Sequence, residues 1–249
     1  VVVTGGAGGI GREVGAGFAR EGARVAVVDV EQSAVDAYAE ELTVAYDVPT
    51  LGLAVDVRDA AAVTEAMRQV HDRLGGPHVL VTLAGGSLGT PKQLDRIEPA
   101  HVDLVVDVNV KGTFYCCQAA APYMLEAGGG SIVTTSSIGG RQPSPVTGVP
   151  YATSKAAVVG LTKRLARELG AGGVRVNAVA PGLFLTGRLQ GMYDAMPDAE
   201  RREVLDAIPL DRFPDLREAV DPILFLASEE ASYITGVVLD VNGGRFMPL

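Results

Sequence analysis

Apolar positions along the chain gather into short unbroken runs, and between those runs they recur at helical spacing. Val1-Val2-Val3 is the first run. It leads into Thr4-Gly5-Gly6-Ala7-Gly8-Gly9-Ile10-Gly11 and then a helical stretch to about Glu21, which Gly22 stops. Arg24 to Asp29 is the second run, followed by a helix from about Gln32 to Ala45. The third, Thr50 to Val55, meets Asp56 and a helix from about Asp59 to Leu74. Next come a strand at Val79 to Leu83, a long helical region from about Pro99 to Glu126, a strand at Ser131 to Ser136 and a helix at Tyr151 to Leu169. Val174 to Val179 and Val237 to Val241 supply two more strands. Between them lie a polar helical section with Met and Pro, Gly187 to Pro209, and a helix from about Leu216 to Ala227. A strand without polar alternation is buried on both faces, and a helix after each strand provides the crossover of a parallel sheet. The pattern predicts an α/β chain: one doubly wound parallel sheet of seven strands with helices on both faces, in a single domain over 1–249. Such sheets bind ligands at the carboxyl ends of their strands.

Composition narrows the function classes. The net charge of -9 argues against a nucleic-acid partner, and the Arg201-Arg202 pair is flanked by Glu200 and Glu203. No apolar run approaches the roughly 18 to 20 residues that span a bilayer, so no membrane association is expected. No basic segment with an apolar core and cleavage site opens the chain, and the expected location is the cytoplasm. Val1 lies inside a strand without an initiator methionine, so a few leading residues are expected to be missing. Cys116 and Cys117 are adjacent, badly placed to bond to each other, and read as packed, reduced thiols. His71, His78 and His101 form no ligand spacing, so no metal is expected. Neither Ser136 nor Ser137 stands in a Gly-x-Ser-x-Gly elbow, which disfavours a serine hydrolase.

Candidate chemistry begins with the five glycines of Thr4 to Gly11, which allow a tight turn and close backbone approach to a pyrophosphate at a helix N-terminus. Asp29 ends the next strand. Its carboxylate can accept hydrogen bonds from ribose hydroxyls and repels a 2'-phosphate, while Gly8 and Val30 bring no cation and Arg12 is expected to point to solvent. NAD is therefore expected over NADP. Asp56, with Val57 beside it, ends the third strand and either binds the adenine amino group or caps the following helix. Ala84-Gly85-Gly86 lacks bulk that would exclude a cofactor ribose. Tyr151 and Lys155, four apart on a helix, share one face, and a fixed cation beside a phenol favours its ionised form. A phenol with a free pKa of about 10 is thereby drawn toward proton exchange near neutral pH.

Together these residues resemble the short-chain dehydrogenase/reductase family, in its compact single-domain branch. The resemblance is carried by Thr4-Gly5-x-x-x-Gly9-x-Gly11, Asn109 in Val108-Asn-Val-Lys-Gly-Thr-Phe114, Ser136-Ser137, Tyr151-x-x-x-Lys155, Asn177 with Pro181-Gly182, and the Tyr233-Ile-Thr-Gly236 to Val241-Asn-Gly-Gly244 ending. It covers nearly the whole chain and implies a Rossmann-like fold and interconversion of a secondary alcohol and a ketone. By resemblance, Ser137 would hold the substrate oxygen, Tyr151 would exchange its proton, and Lys155 would tune Tyr151 and hold the nicotinamide ribose. Asn109 would complete a proton relay through water. The turn Gly5, Gly8, Gly9, Ile10 and Gly11 would take the cofactor, and Pro181, Gly182, Phe184 and Thr186 would shape its carboxamide pocket. Ser136 competes for the serine role; family spacing favours Ser137, and strand alternation puts the two on opposite faces.

The ending looks most like 3-oxoacyl-carrier-protein reductases, which usually prefer NADP, and Asp29 departs from that. An acyl-thioester reductase is thus an alternative, and a cofactor-binding sensor without turnover a third reading. Thr82-Leu83-Ala84-Gly85 stands where the family commonly has Asn-Asn-Ala-Gly, which puts the local bracing in question. The substrate pocket is expected from Gly86 to Leu94, Gly139 to Pro150 and Leu183 to Pro209, with a lid at about 187–209. Three prolines stiffen Gln142 to Pro150, and Met192, Tyr193 and Met196 make the lid apolar. Small residues on the long helices, Ala119 to Ala121, Ala156, Ala157 and Gly160, permit close packing. By resemblance such helices pair between subunits and Arg245 to Leu249 meets another interface, giving a homotetramer.

Overall fold

The computed structural model describes residues 1–144 and 146–248, without the side chains of Arg188, Leu189 and Met192. Pro145 of the proline-bearing loop, Leu249 of the chain end and the Met192 side chain therefore lie outside the described residues. Seven parallel strands form one sheet: β1 (Val2–Thr4), β2 (Val25–Asp29), β3 (Thr50–Ala54), β4 (Val79–Thr82), β5 (Gly130–Thr135), β6 (Val174–Pro181) and β7 (Val238–Val241). Their order is β3-β2-β1-β4-β5-β6-β7. The direction of winding reverses at β1, which pairs with β2 on one side and β4 on the other, and the crevice for a ligand opens above that point.

Neighbouring residues in the central strands serve opposite layers. Val2, Leu80 and Ile132 pack with α3 (Ala60–Leu74), α5 (Thr113–Glu126) and α6 (Val149–Leu169). Val3, Val81 and Val133 pack with α1 (Gly9–Arg20), α2 (Gln32–Tyr46) and α9 (Arg217–Ala227). All six are wholly buried, each contributing about 1.5–3 kcal/mol, and this two-sided burial is why the runs are apolar at every position.

Four expectations are corrected or refined. The long helix from Pro99 to Glu126 is not continuous. It is α4 (Pro99–Val106), a π-helical turn at Asp107–Gly112, and α5. The wider turn brings Asn109 inward and seats Gly112 against Val57, where a Cβ would meet Val57 Cγ2 at 2.6 Å. The section from Gly187 is two short helices, α7 (Gly187–Asp194) and α8 (Asp198–Asp206). Asp59, not Asp56, caps α3, its Oδ1 accepting from Ala61 N at 2.9 Å and Ala62 N at 3.0 Å. Arg12 does not simply face solvent either: it pairs with Glu41 and lies 4.0 Å over the Tyr38 ring.

Candidate active site

The carboxyl ends of β1 to β5 surround a cavity of about 580 Å³. Its floor begins with the glycine turn. Gly5 has φ +66°, and a Cβ there would meet Ala84 N at 2.7 Å; one at Gly11 would meet Gly5 O at 2.0 Å. Among the described residues no side chain caps α1 at Gly8 and nothing stands within 4 Å of a Cβ there, so the first helical N–H groups face open space. Gly5, Gly8, Gly9, Ile10 and Gly11 all line the cavity.

Asp29 lines it from the end of β2. Ala7 N donates to its Oδ2 at 3.1 Å and Val30 N to its Oδ1 at 2.8 Å, which fixes the carboxylate and leaves the remaining acceptor positions to the cavity. Asp56 and Val57 line the same end, and so does Arg58, which the sequence reading did not single out. The Arg58 guanidinium grips Asp56, and hydrogen bonds from it hold the Asp56 carboxyl below the usual range. Among the described lining residues, Arg58 and Lys155 are the cations.

Leu83, Ala84 and Gly85 continue the wall. The bracing in question is supplied by Thr4, whose carbonyl accepts from Leu83 N at 3.1 Å and whose Oγ1 accepts from Ala84 N at 3.3 Å. The Leu83 side chain joins the apolar layer over β1 and β2 instead. The buried Thr82 hydroxyl has no hydrogen-bond partner among the described residues.

Asn109 does not line the cavity; it is fully buried beneath it. Its Oδ1 accepts from Gly86 N at 2.9 Å, and its Nδ2 donates to Gly86 O at 3.0 Å and to Ser154 Oγ at 2.9 Å. Ser154 Oγ donates in turn to Tyr151 O at 2.8 Å. The side-chain amide is engaged in bracing, and the backbone carbonyl accepts from Thr113 Oγ1 at 2.8 Å.

Tyr151 and Lys155 face the cavity from α6. Lys155 Nζ lies 5.8 Å from the Tyr151 ring centroid and donates to Thr135 O at 2.8 Å. Burial pushes its ammonium down to about 8 from 10.5. The neighbouring serines have different roles: Ser136 Oγ donates to Lys155 O at 2.8 Å, whereas Ser137 Oγ accepts from Gly139 N at 3.1 Å and keeps its own proton to give. Ser137 is buried and outside the cavity lining.

Thr186 lines the cavity opposite the glycine turn, its Cγ2 at 3.5 Å from a Cβ on Gly9. Pro181, Gly182 and Phe184 do not line it. Pro181 extends β6 against Val241, Gly182 N donates to Val241 O at 2.8 Å, and Phe184 is buried.

The chain is matched over residues 5–245 by the family model described as enoyl-(acyl carrier protein) reductase. It is 41% identical over 243 residues to a 3alpha-hydroxysteroid dehydrogenase of Mediterraneibacter gnavus, covering 97% of this chain and 94% of that one. This chain belongs to the short-chain dehydrogenase/reductase family. A 3-oxoacyl-acyl-carrier-protein reductase of Staphylococcus aureus is 38% identical over 247 residues, covering 99% and 97% of the two chains. Among solved structures, a 3-oxoacyl-acyl-carrier-protein reductase with bound NAD from Brucella melitensis superposes with a TM-score of 0.88 at 35% identity, covering 99% and 90%. As a short-chain dehydrogenase/reductase the chain is an oxidoreductase acting on CH-OH groups with a nicotinamide cofactor, on a Rossmann fold. The open glycine turn and the anchored Asp29 fit such a cofactor.

A second cavity, of about 600 Å³, joins the segments expected to hold substrate: Lys92, Gln142, Met196, Glu200 and Glu203 line it, with Arg245 from the chain end. Its lining is mixed, with Val146, Met196, Val204 and Ala207 beside the charged groups. Tyr193, expected there, instead packs edge-on to Phe213 at 4.8 Å. Among the described residues no group of three His, Cys, Asp or Glu is placed to hold a metal ion, and no helix is long and apolar enough to cross a membrane.

Proposed function

We propose that this chain is an NAD-dependent oxidoreductase that interconverts a secondary alcohol and a ketone, with Tyr151 as its general acid and base. One observation carries the reading: Tyr151 and Lys155 line the same cavity as the uncapped glycine turn and Asp29. A bound nicotinamide gives or takes a hydride at carbon, and the rest of the chemistry is proton handling by the chain. The alcohol proton leaves to, or returns from, the Tyr151 hydroxyl. Ser137 donates to the substrate oxygen and stabilises the charge that develops there. Lys155 holds a positive charge beside the phenol, and Asn109 keeps the loop at Gly86 and the helix at Ser154 in register. Asp29 accepts from ribose hydroxyls and opposes a 2'-phosphate.

We read the whole as one domain with a lid at about 187–209. A homotetramer is supported by the exposed small residues Ala156, Ala157 and Gly160 on α6 and by exposed Phe114 on α5; Ala120 and Ala121 are buried within this chain. The buried free thiols Cys116 and Cys117 fit a cytoplasmic location, and the charge of -9 fits no nucleic-acid partner.

A second reading, reduction of a 3-oxoacyl thioester, is favoured by the name of the Staphylococcus aureus relative and by Lys92 and Arg245 in the second cavity. A panel of secondary alcohols, ketones and 3-oxoacyl thioesters, followed by cofactor absorbance, separates the two. NADH should bind at least about tenfold more tightly than NADPH, about 1.4 kcal/mol. Equal or reversed dissociation constants would overturn the NAD assignment.

A further inference from the structure

Of the two roles open to Asp56, the cap on α3 belongs to Asp59, and the carboxylate that an adenine amino group would meet is already in use. Oδ1 accepts from Arg58 N at 2.9 Å and from Arg58 Nε at 3.0 Å. Oδ2 accepts from Nε at 2.9 Å and from Nη2 at 2.5 Å. A carboxylate offers about four acceptor positions, and three N–H groups of one arginine, its backbone N, Nε and Nη2, take most of them. The pair stands at the end of the cavity built by β2 and β3, on the far side of the sheet's reversal from Tyr151. Among the described lining residues this end holds two carboxylates, Asp29 and Asp56, and one cation, Arg58.

A guanidinium fork is the side chain best shaped to receive a phosphate. A 2'-phosphate arriving beside Asp29 would therefore look to Arg58 for its counter-charge. Arg58 cannot answer without leaving Asp56.

We propose that Asp56 is a cofactor-specificity residue that acts through Arg58: by gripping the guanidinium it withholds the cation that a 2'-phosphate needs. Selectivity against NADP then has two layers, repulsion from Asp29 and sequestration by Asp56. The proposal rests on the NAD reading above. It also explains how a cation can line the adenosine end without reversing that preference.

The test is calorimetric titration of NADH and NADPH into wild type, Asp56→Asn, Arg58→Gln and the double variant, comparing the ratio of the two dissociation constants. Adenine is common to both cofactors, so any lost contact with its amino group cancels in the ratio. Asp56→Asn keeps the shape and drops the charge, and should move the ratio toward NADPH by about fivefold, the upper end for an exposed ion pair. Adding Arg58→Gln should return it to the wild-type value, and Arg58→Gln alone should leave it unchanged or move it away from NADPH. High salt should shrink the Asp56→Asn effect. An unmoved ratio in Asp56→Asn would overturn the proposal. So would a double variant shifted as far as the single one, since the carboxylate would then be acting by itself. The side chains of Arg58 and Asp56 are 49% and 38% exposed, so these variants disturb little packing. If wild type alone showed no preference for NADH, the cofactor assignment would fall, while the comparison among variants would still decide whether Asp56 holds Arg58.

Discussion

Lys155 is a cation buried to 5% exposure whose ammonium, among the described residues, donates to one carbonyl, Thr135 O, and the resulting cost should be measurable in the protein without cofactor. Burial lowers its pKa to about 8 from 10.5. At about 1.4 kcal/mol per pH unit, that gap corresponds to roughly 3 kcal/mol of stability withheld at pH 7. Below pH 8 the lysine is protonated in both folded and unfolded chains and the cost is complete. Between 8 and 10.5 the unfolded chain holds the proton while the folded one releases it, so stability rises with pH. By pH 10 about 2.5 kcal/mol should be recovered. Lys155→Met keeps the length and the apolar stem and removes the charge. Urea unfolding of both proteins at pH 7, 8.5 and 10, followed by far-UV circular dichroism because the chain has no Trp, gives the difference directly. The variant should be more stable at pH 7, by up to roughly 3 kcal/mol less the 1–3 kcal/mol for the donor that Thr135 O loses. That loss does not depend on pH, so the advantage must shrink by about 2.5 kcal/mol on going to pH 10. The buried thiols, both pushed up by burial, titrate alike in the two proteins and cancel. A difference that stayed flat with pH would refute the reasoning, because it would mean that the ammonium is not desolvated.

Other outcomes are expected at the same site. Tyr151→Phe should cut single-turnover hydride transfer by about 10²–10⁴-fold while leaving the NADH dissociation constant within about twofold; near wild-type rates would remove Tyr151 from its role. Ser137→Ala should lower turnover and cost about 1 kcal/mol by leaving Gly139 N without its acceptor, whereas Ser136→Ala, which removes one of the hydrogen bonds on Lys155 O, should cost about as much with turnover little changed. The opposite pattern would exchange their assignments. Light scattering at micromolar concentration should report a tetramer, and a monomer would count against pairing through α5 and α6.

The strands were legible because burial on both faces leaves an unbroken apolar mark: Val2 and Val3 serve different layers, and neither can be polar. The Tyr151 and Lys155 pair was legible for a similar reason, since four residues on a helix fix a shared face. Elsewhere the signal was ambiguous or absent. Asp56 and Asp59 both precede α3, and only the backbone path shows that Asp59 meets its first N–H groups. The π-helical turn at Asp107–Gly112 lies in a sequence that also suits a regular helix, and the contacts holding it, Asn109 on Gly86 and Gly112 on Val57, are distant in the chain. Phe184, which the resemblance places in the carboxamide pocket, is buried in the core. Arg58 escaped notice because a charged residue after a strand is ordinarily solvent-facing, and its significance comes from Asp56 alone.

Asn109 joins three pieces of backbone that the chain keeps far apart: the loop at Gly86, the π-helical turn and, through Ser154, the carbonyl of Tyr151. A joint of that kind has no slack. The cofactor's floor cannot sag without dragging the acid/base helix along, and the helix cannot roll without lifting the floor. On the lid reading proposed above, loading and unloading fall to the segment beyond Thr186, where two short helices stand outside the truss. The part of the molecule that recognises substrate and the part that opens are then the same part, so changes in that stretch should alter specificity and turnover together.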